Sequence, residues 1–202
     1  MPDEKPVNRR SFFRQGLREL LKPLAQALEP LQRAATELQK LDNLGQPVST
    51  PTRWLRPPGA LDEQAFKETC SRCGVCTRVC PANCIKIDPT GARGDGAPFI
   101  DANFMACVVC DSLACMNSCP SGALKLVPLV QIDMGTAEWF EDRCTRSAGD
   151  DCEICVEKCP IGEAAIRTNG RKIEVIEQGC IGCGLCQQHC PTDPKSIVVR
   201  PR

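Results

Sequence analysis

The cysteines are the side chains with the most chemistry to offer. The chain has 17 of them in 202 residues, and all lie between positions 70 and 190. Sixteen fall into four runs of four, and every run closes with Cys-Pro. The runs begin at 70, 107, 144 and 180, an internal repeat of 36 to 37 residues that predicts one structural unit per run. The candidate metal ligands are Cys70, Cys73, Cys76, Cys80, Cys107, Cys110, Cys115, Cys119, Cys144, Cys152, Cys155, Cys159, Cys180, Cys183, Cys186 and Cys190.

The spacing of these cysteines points to iron–sulfur ligation. The first and fourth runs read C-x2-C-x2-C-x3-C-P, the spacing of bacterial two-cluster ferredoxins, while the second reads C-x2-C-x4-C-x3-C-P and the third C-x7-C-x2-C-x3-C-P. A tight loop supplies three thiolates to one cubane, and a short helical turn carries the fourth cysteine toward a neighbouring cluster. The Pro then ends the helix. Gly74, Gly182 and Gly184 let the backbone approach the cluster closely.

Two other readings of the cysteines are weaker. Disulfides need an oxidising compartment, and four tight runs are poor loops to cross-link. Structural zinc uses paired C-x2-C knuckles, whereas these runs are triplets followed by one more cysteine. Sixteen ligands therefore predict four [4Fe–4S] clusters, and we expect Cys84, outside the pattern, to be a small buried residue or, less simply, a ligand-swap or redox residue.

The segments around the runs predict short elements that position the ligands. Apolar stretches after each Cys-Pro predict strands over 85–87, 123–126, 164–166 and 197–199. Turn residues follow at 88–91. We therefore expect an α+β fold for the Cys-rich body over 61–202, built from two ferredoxin-like modules of small antiparallel hairpins and short helices.

Composition and motifs exclude several function classes. The formal charge is zero, from 25 basic and 25 acidic residues, which argues against nucleic-acid binding. No run of 18 apolar residues could span a membrane. The single His189 has no partner for triad chemistry, and we expect it beside the metal ligands or on the surface. We expect basic side chains such as Arg78, Lys86, Lys125 and Lys158 either to offset the negative charge of the clusters or to be solvated at the surface. No residue offers catalysis, so the sequence predicts an electron carrier and not an enzyme.

The first 60 residues differ from the body, with 10 basic and 6 acidic residues and no cysteine. Leucines at three- and four-residue steps predict an amphipathic helical arm over 1–41. Pro and Gly residues predict a linker over 42–60. Within this linker, we expect Trp54 to pack on the body or only to anchor the linker. Residues 8–14 (NRRSFFR) resemble a twin-arginine export motif, although charges interrupt the apolar stretch that should follow. The arm therefore predicts a cytoplasmic or membrane-associated protein with peripheral membrane contact, or alternatively a periplasmic one.

Residues 61–202 resemble the MauM/NapG group of four-cluster ferredoxin-type proteins. The resemblance is carried by CVVCDSLACMNSCPSGAL in the second run, CTRSAGDDCEICVEKCP in the third, the spacer IDMGTAEW between them and CIGCGLCQQHCP in the fourth. It implies that electrons pass between a membrane quinol-oxidising partner and a reductase such as a molybdopterin oxidoreductase. The chain would be a free relay or a subunit of such a complex, with a maturation factor for iron–sulfur enzymes as the alternative.

The resemblance also implies a nested pairing of the runs, with an outer module of 61–100 and 165–202 and an inner module of 101–164. Sequential pairing, first run with second and third with fourth, is the alternative. The four ligand sets of the nested pairing are Cys70, Cys73, Cys76 with Cys190; Cys180, Cys183, Cys186 with Cys80; Cys107, Cys110, Cys115 with Cys159; and Cys144, Cys152, Cys155 with Cys119. Because metal binding supplies folding energy, we expect little tertiary structure in the iron-free chain.

Overall fold

The computed structural model describes residues 54–87 and 96–202. The predicted arm over 1–41, with its twin-arginine-like motif, lies outside the described residues, and so does the linker up to residue 53. Residues 54–60, also predicted as linker, are instead part of the body. Leu55 is buried and bridges to Ile100, Ala60 bridges to Leu124, and the Trp54 ring packs on Phe99 with centroids 4.7 Å apart.

The first half of the body, residues 54–127, holds the first two cysteine runs. Its elements are helix α1 (Glu63–Thr69), helix α2 (Val75–Val79), strands β1 (Ile85–Lys86) and β2 (Phe99–Ile100), and helix α3 (Ala114–Asn117). Strand β1 pairs with β2 antiparallel. Asp62 caps α1 by accepting a hydrogen bond from the Ala65 amide, and α1 buries Phe66 completely.

The second half, residues 128–202, repeats this plan with longer strands. It contains strand β3 (Gly135–Trp139), helix α4 (Thr145–Ala148), helix α5 (Ile154–Glu157), strands β4 (Ile166–Asn169) and β5 (Lys172–Val175), helix α6 (Leu185–His189) and strand β6 (Ile197–Pro201). Strand β4 forms a hairpin with β5, and β3 pairs with β6 antiparallel. Three 3-10 turns connect these elements, at Leu129–Gln131, Glu141–Arg143 and Gly162–Ala164.

Short helices and small antiparallel sheets make this an α+β fold of the ferredoxin-like type. The core consists of small aliphatic residues and cysteines, and Phe66 and Phe99 are the only Phe in the buried core of the described ranges. With so little apolar volume to bury, the cysteine sites are central to holding the body together. None of the helices in the described ranges is long and apolar enough to cross a membrane.

The nested module boundaries predicted from the resemblance are wrong for this structure. Strand β3 belongs to the predicted inner module and β6 to the outer one, yet the two strands are paired over five residues, from Gly135↔Pro201 to Trp139↔Ile197. In the first half, the Leu61 amide donates to the Ala123 carbonyl at 3.1 Å. Each half is therefore closed by its own first and last segments, which keeps chain connections short.

Candidate metal centres

The three loops that open a run with C-x2-C share an unusual backbone conformation. The residue immediately before the second cysteine is left-handed in each, with φ 56° at Arg72, 49° at Val109 and 70° at Gly182. For a residue other than glycine this costs about 1–2 kcal/mol. Such strain persists where the surroundings impose it, most often around a functional group. The loops thus curl around the space that the cysteines enclose.

Helices carry the third cysteine, and the fourth follows directly. Cys76 lies in α2 and Cys186 in α6, while Cys80 and Cys190 are the C-terminal caps of these helices. The predicted helical turn between third and fourth cysteine is confirmed in both runs. It sends the fourth thiol away from its own loop.

The cysteines meet in four sets, named sites 1 to 4 in their spatial order. Each set combines three cysteines of one run with the fourth cysteine of the neighbouring run. At sites 1, 2 and 3, the four cysteines of each set line a cavity of their own. At site 4, the other three thiolates each raise the pKa of Cys155. The sets are Cys70, Cys73, Cys76 and Cys119 (site 1); Cys107, Cys110, Cys115 and Cys80 (site 2); Cys180, Cys183, Cys186 and Cys159 (site 3); and Cys144, Cys152, Cys155 and Cys190 (site 4).

This arrangement corrects the nested ligand sets. Cys119 stands with the first run and not with the third, and Cys190 stands with the third run and not with the first. Cys80 faces the second run and Cys159 the fourth. The structure therefore groups the thiols by the sequential alternative, because α2 packs on α3 and α5 packs on α6.

The sites differ in exposure. Cys73 at site 1 is exposed, and Cys144, Cys152 and Cys155 at site 4 are half-buried. One thiol is buried at site 1 (Cys76) and one at site 4 (Cys190), whereas two are buried at each of sites 2 and 3: Cys107, Cys115, Cys183 and Cys186. Sites 1 and 4 are thus the more accessible pair and sites 2 and 3 the more enclosed.

Several of the thiols have a raised pKa, so that a bound positive group is needed to hold them as thiolates. Burial, followed by the negative charge of neighbouring cysteines, raises the pKa of Cys76 to about 11 and the pKa of Cys155 to about 12. Burial likewise raises the pKa of Cys115 and of Cys183 to about 12. Four thiolates in one enclosed space repel one another, so that only a bound positive centre can hold them all ionised.

Backbone amides also point at the sulfurs. The Val109 amide donates to Cys107 Sγ at 3.4 Å, the Leu124 amide to Cys119 Sγ at 3.4 Å and the Ala137 amide to Cys180 Sγ at 3.5 Å. In the described ranges no three His, Cys, Asp or Glu side chains converge as ligands of a single metal ion would. Soft thiolates that surround a space and receive N–H donors fit an iron–sulfur cluster.

The remaining predicted residues are Cys84, His189 and four basic side chains. Cys84 is 2% exposed and its sulfur lies 3.5 Å from that of Cys80, in the cavity of site 2. His189 is exposed at the end of α6. The four bases named above, Arg78, Lys86, Lys125 and Lys158, are exposed.

Sequence reasoning missed the polar side chains of site 4. Ser196 Oγ lies 3.1 Å and Thr192 Oγ1 3.2 Å from Cys190 Sγ, and Trp139 lies beside Cys144. Burial raises the pKa of Cys144, but the Trp139 indole, the Ser196 hydroxyl and backbone amides outweigh it and leave this pKa lowered. No spacing rule marks these residues: Thr192 and Ser196 reach Cys190 through the local turn that follows it, and the pairing of β3 with β6 positions Trp139.

Comparison with known protein families agrees with this geometry. The family model "4Fe-4S dicluster domain" matches residues 69–123 and 150–193. The first match spans the first two runs together, and the second spans the last two from residue 150 onward, beyond Cys144. Fold and cysteine sites together thus define an iron–sulfur protein of the ferredoxin type, with [4Fe–4S] clusters as its cofactors.

Comparison with individual proteins identifies the family to which the chain belongs within this class. The chain is 37% identical over 163 residues to the methylamine utilization ferredoxin-type protein MauM of Methylobacillus flagellatus, covering 73% of this chain and 68% of that protein. It is 34% identical over 163 residues to the ferredoxin-type protein NapG of Escherichia coli, covering 73% and 70%. A polyferredoxin, MvhB of Methanothermobacter marburgensis, is 31% identical over 99 residues, which is 46% of this chain and 20% of that protein. The chain belongs to the MauM/NapG family of ferredoxin-type electron-transfer proteins.

Proposed function

We propose that the chain is a four-cluster electron relay in which each of sites 1 to 4 holds one [4Fe–4S] cluster. The carrying observation is the grouping of sixteen cysteines into four sets of four, each drawn from two adjacent runs. A cluster held by four thiolates has no open iron position for substrate, and it accepts one electron with little rearrangement. The chain is then a carrier without catalysis of its own.

Electrons pass along the sites in the order 1, 2, 3, 4 in either direction. Sites 1 and 2 share the helix pair α2 and α3, and sites 3 and 4 share α5 and α6. The Cys107 amide donates to the Cys183 carbonyl at 3.0 Å, which joins the loops of sites 2 and 3. The accessible sites thus lie at the two ends and the enclosed sites in the middle, as a relay between two partners requires.

The partners are redox proteins that dock near the end sites. The family resemblance favours a membrane quinol-oxidising protein on one side and a molybdopterin oxidoreductase on the other. The chain serves them as a mobile carrier or as a bound subunit. A stoichiometric complex that survives size-exclusion chromatography would identify a subunit, whereas transient reduction and reoxidation would identify a carrier.

A reciprocal pair of double substitutions tests the ligand sets. Cys80→Ala with Cys110→Ala removes two ligands of site 2, so that roughly four of sixteen irons are lost. Cys80→Ala with Cys183→Ala removes one ligand each from sites 2 and 3, so that roughly eight irons are lost. The nested sets reverse the two results. Iron and acid-labile sulfide counts on anaerobically purified protein, with EPR of the reduced protein, give the answer.

The relay itself is tested on the unsubstituted protein. Protein with about sixteen irons should be reduced by dithionite and reoxidised without loss of iron. Loss of clusters to an iron-free acceptor enzyme during this cycle would instead indicate a maturation factor. An iron content far below sixteen would overturn the four-cluster proposal.

A further inference from the structure

The indole of Trp139 presents an unusual polar atom. Among the described residues, Trp139 Nε1 is the one buried side-chain nitrogen or oxygen without a hydrogen-bond partner. A buried donor left unpaired destabilises the folded state. Such a group requires a partner that the protein atoms do not supply.

Strand pairing fixes where this donor lies. Trp139 closes β3 opposite Ile197 of β6, and the Phe140 amide donates to the Ser196 carbonyl at 2.7 Å. Trp139 and Ser196 therefore lie at the same end of this two-stranded sheet. Five residues after Trp139 comes Cys144, the first ligand of site 4 in the proposed assignment.

The Ser196 side chain confirms that the sheet end faces site 4. Ser196 is 4% exposed, and its hydroxyl lies 3.1 Å from the sulfur of Cys190, which is itself 5% exposed. With a cluster bound, the Cys190 thiolate could only accept, so the Ser196 hydroxyl would be the donor. The Trp139 indole also contributes to the lowered pKa of Cys144, which agrees with a position near this ligand, although Nε1 makes no hydrogen bond of acceptable geometry to the sulfur.

Resting on the proposed cluster at site 4, we propose that Trp139 Nε1–H and the Ser196 hydroxyl donate hydrogen bonds to its sulfurs and raise its reduction potential. Reduction adds one electron, taken from an external donor, and no proton needs to move. The added negative charge spreads over the sulfurs, so that N–H and O–H dipoles aimed at them stabilise the reduced form more than the oxidised form. Electrons are thereby biased toward site 4.

At site 1, the side-chain hydroxyl that follows the fourth cysteine lies farther from the sulfur than at site 4. Ser121 follows Cys119 by two residues, as Thr192 follows Cys190, but Ser121 Oγ lies 3.7 Å from the cysteine sulfur against 3.2 Å at site 4. Both tryptophans of the chain are described, and Trp54 packs on Phe99 in the other half. The indole donor therefore distinguishes site 4 from the other end of the relay.

The matched variants are Trp139→Phe and Trp54→Phe in the full chain with its clusters. Each loses one indole, but only Trp139→Phe removes the donor at site 4. A potentiometric titration followed by EPR should show one of four midpoint potentials lowered in Trp139→Phe and all four unchanged in Trp54→Phe. Cys152→Ala should remove the same component that Trp139→Phe shifts. Four unchanged potentials in Trp139→Phe, or a shift in a component that Cys152→Ala leaves intact, would overturn the inference.

A second variant covers the case in which Trp139→Phe loads fewer clusters. Ser196→Ala should lower the same midpoint potential, and unchanged potentials there would equally refute the inference. ENDOR of the reduced protein, compared between H₂O and D₂O, supplies a readout independent of potential. The exchangeable proton coupled to this cluster should give a signal in the unsubstituted protein and none in the variants. If the unsubstituted protein lacks four clusters, the proposed function fails first. If it holds four and neither variant shifts one, only this inference fails.

Discussion

The backbone amide of Cys107 donates to the carbonyl of Cys183 across 3.0 Å, so that a ligand loop of site 2 is bonded directly to a ligand loop of site 3. Both residues are 7% exposed. Two further bonds flank this contact, from the Ala106 amide to Gln188 Oε1 at 2.9 Å and from Gln187 Nε2 to Asn103 Oδ1 at 2.8 Å. The two halves are thus joined through the loops that hold the inner sites.

This junction predicts that Gly184 cannot be enlarged. Gly184 has φ 88°, and a Cβ added there would lie 2.6 Å from the Cβ of Ala102 in the other half. Gly184→Ala should cost about 1–2 kcal/mol for the left-handed backbone and about 1–3 kcal/mol more for overpacking. The control is Gly122→Ala, which shares the backbone strain at φ 73° but has nothing within 4 Å. Thermal unfolding of the loaded protein should show a clearly larger loss for Gly184→Ala, and equal losses would contradict the predicted clash.

Local structure was largely readable from the sequence. The strands expected at 85–87 and 197–199 are present as β1 and β6, because short apolar stretches bounded by turn residues favour strands. At 123–126 only a bridge forms at Leu124, and at 164–166 the strand starts at Ile166 after a 3-10 turn. Strand β3 lies in the spacer before Cys144 and was not expected, since its pairing with β6 is a long-range contact that no local pattern encodes.

The sequence could not predict which cysteine runs pair with each other, for a related reason. The spacing of the cysteines shows that the fourth cysteine of a run binds the cluster of another run, but it does not show which run that is. That choice depends on which helices pack together, and here α2 packs on α3 and α5 on α6. The side chains of Trp139 and Ser196 were equally hidden, because residues 57 positions apart meet only through the β3–β6 sheet.

A single substitution distinguishes Cys84 from the ligands. Cys84 shares the cavity of site 2 with four cysteines that already complete a ligand set. Cys84→Ala should therefore leave about sixteen irons per chain and, by analogy with other small core truncations, cost about 1 kcal/mol. Cys115→Ala, at a buried position in the same cavity, should lose the cluster of site 2 and serves as the control. Iron loss in Cys84→Ala equal to that in Cys115→Ala would make Cys84 a ligand.

Cluster loading should improve as pH rises. The pKa of Cys76 is raised to about 11 and that of Cys115 to about 12 in the iron-free fold, so both are protonated at neutral pH. Iron binds thiolates, and assembly must release these protons, so affinity increases with pH up to these values. Iron removal by a chelator should accordingly be slower at pH 8.5 than at pH 6.5. A rate independent of pH would show that thiol protonation does not limit cluster loss.

The iron-free chain should have little tertiary structure. Its core is small. Any residual iron-free fold loses further stability as pH rises from about 9 through about 11 to 12, because its buried thiols have a raised pKa and resist ionisation. Left-handed backbone positions such as Val109 also destabilise the fold when no cluster occupies the loop that contains them. Amide NMR spectra of chelator-treated protein under reducing conditions should show narrow dispersion, and loading with iron and sulfide should restore protection from amide exchange outside the paramagnetic regions. Sharp, well-dispersed amide signals from iron-free protein would show that the apolar core suffices alone.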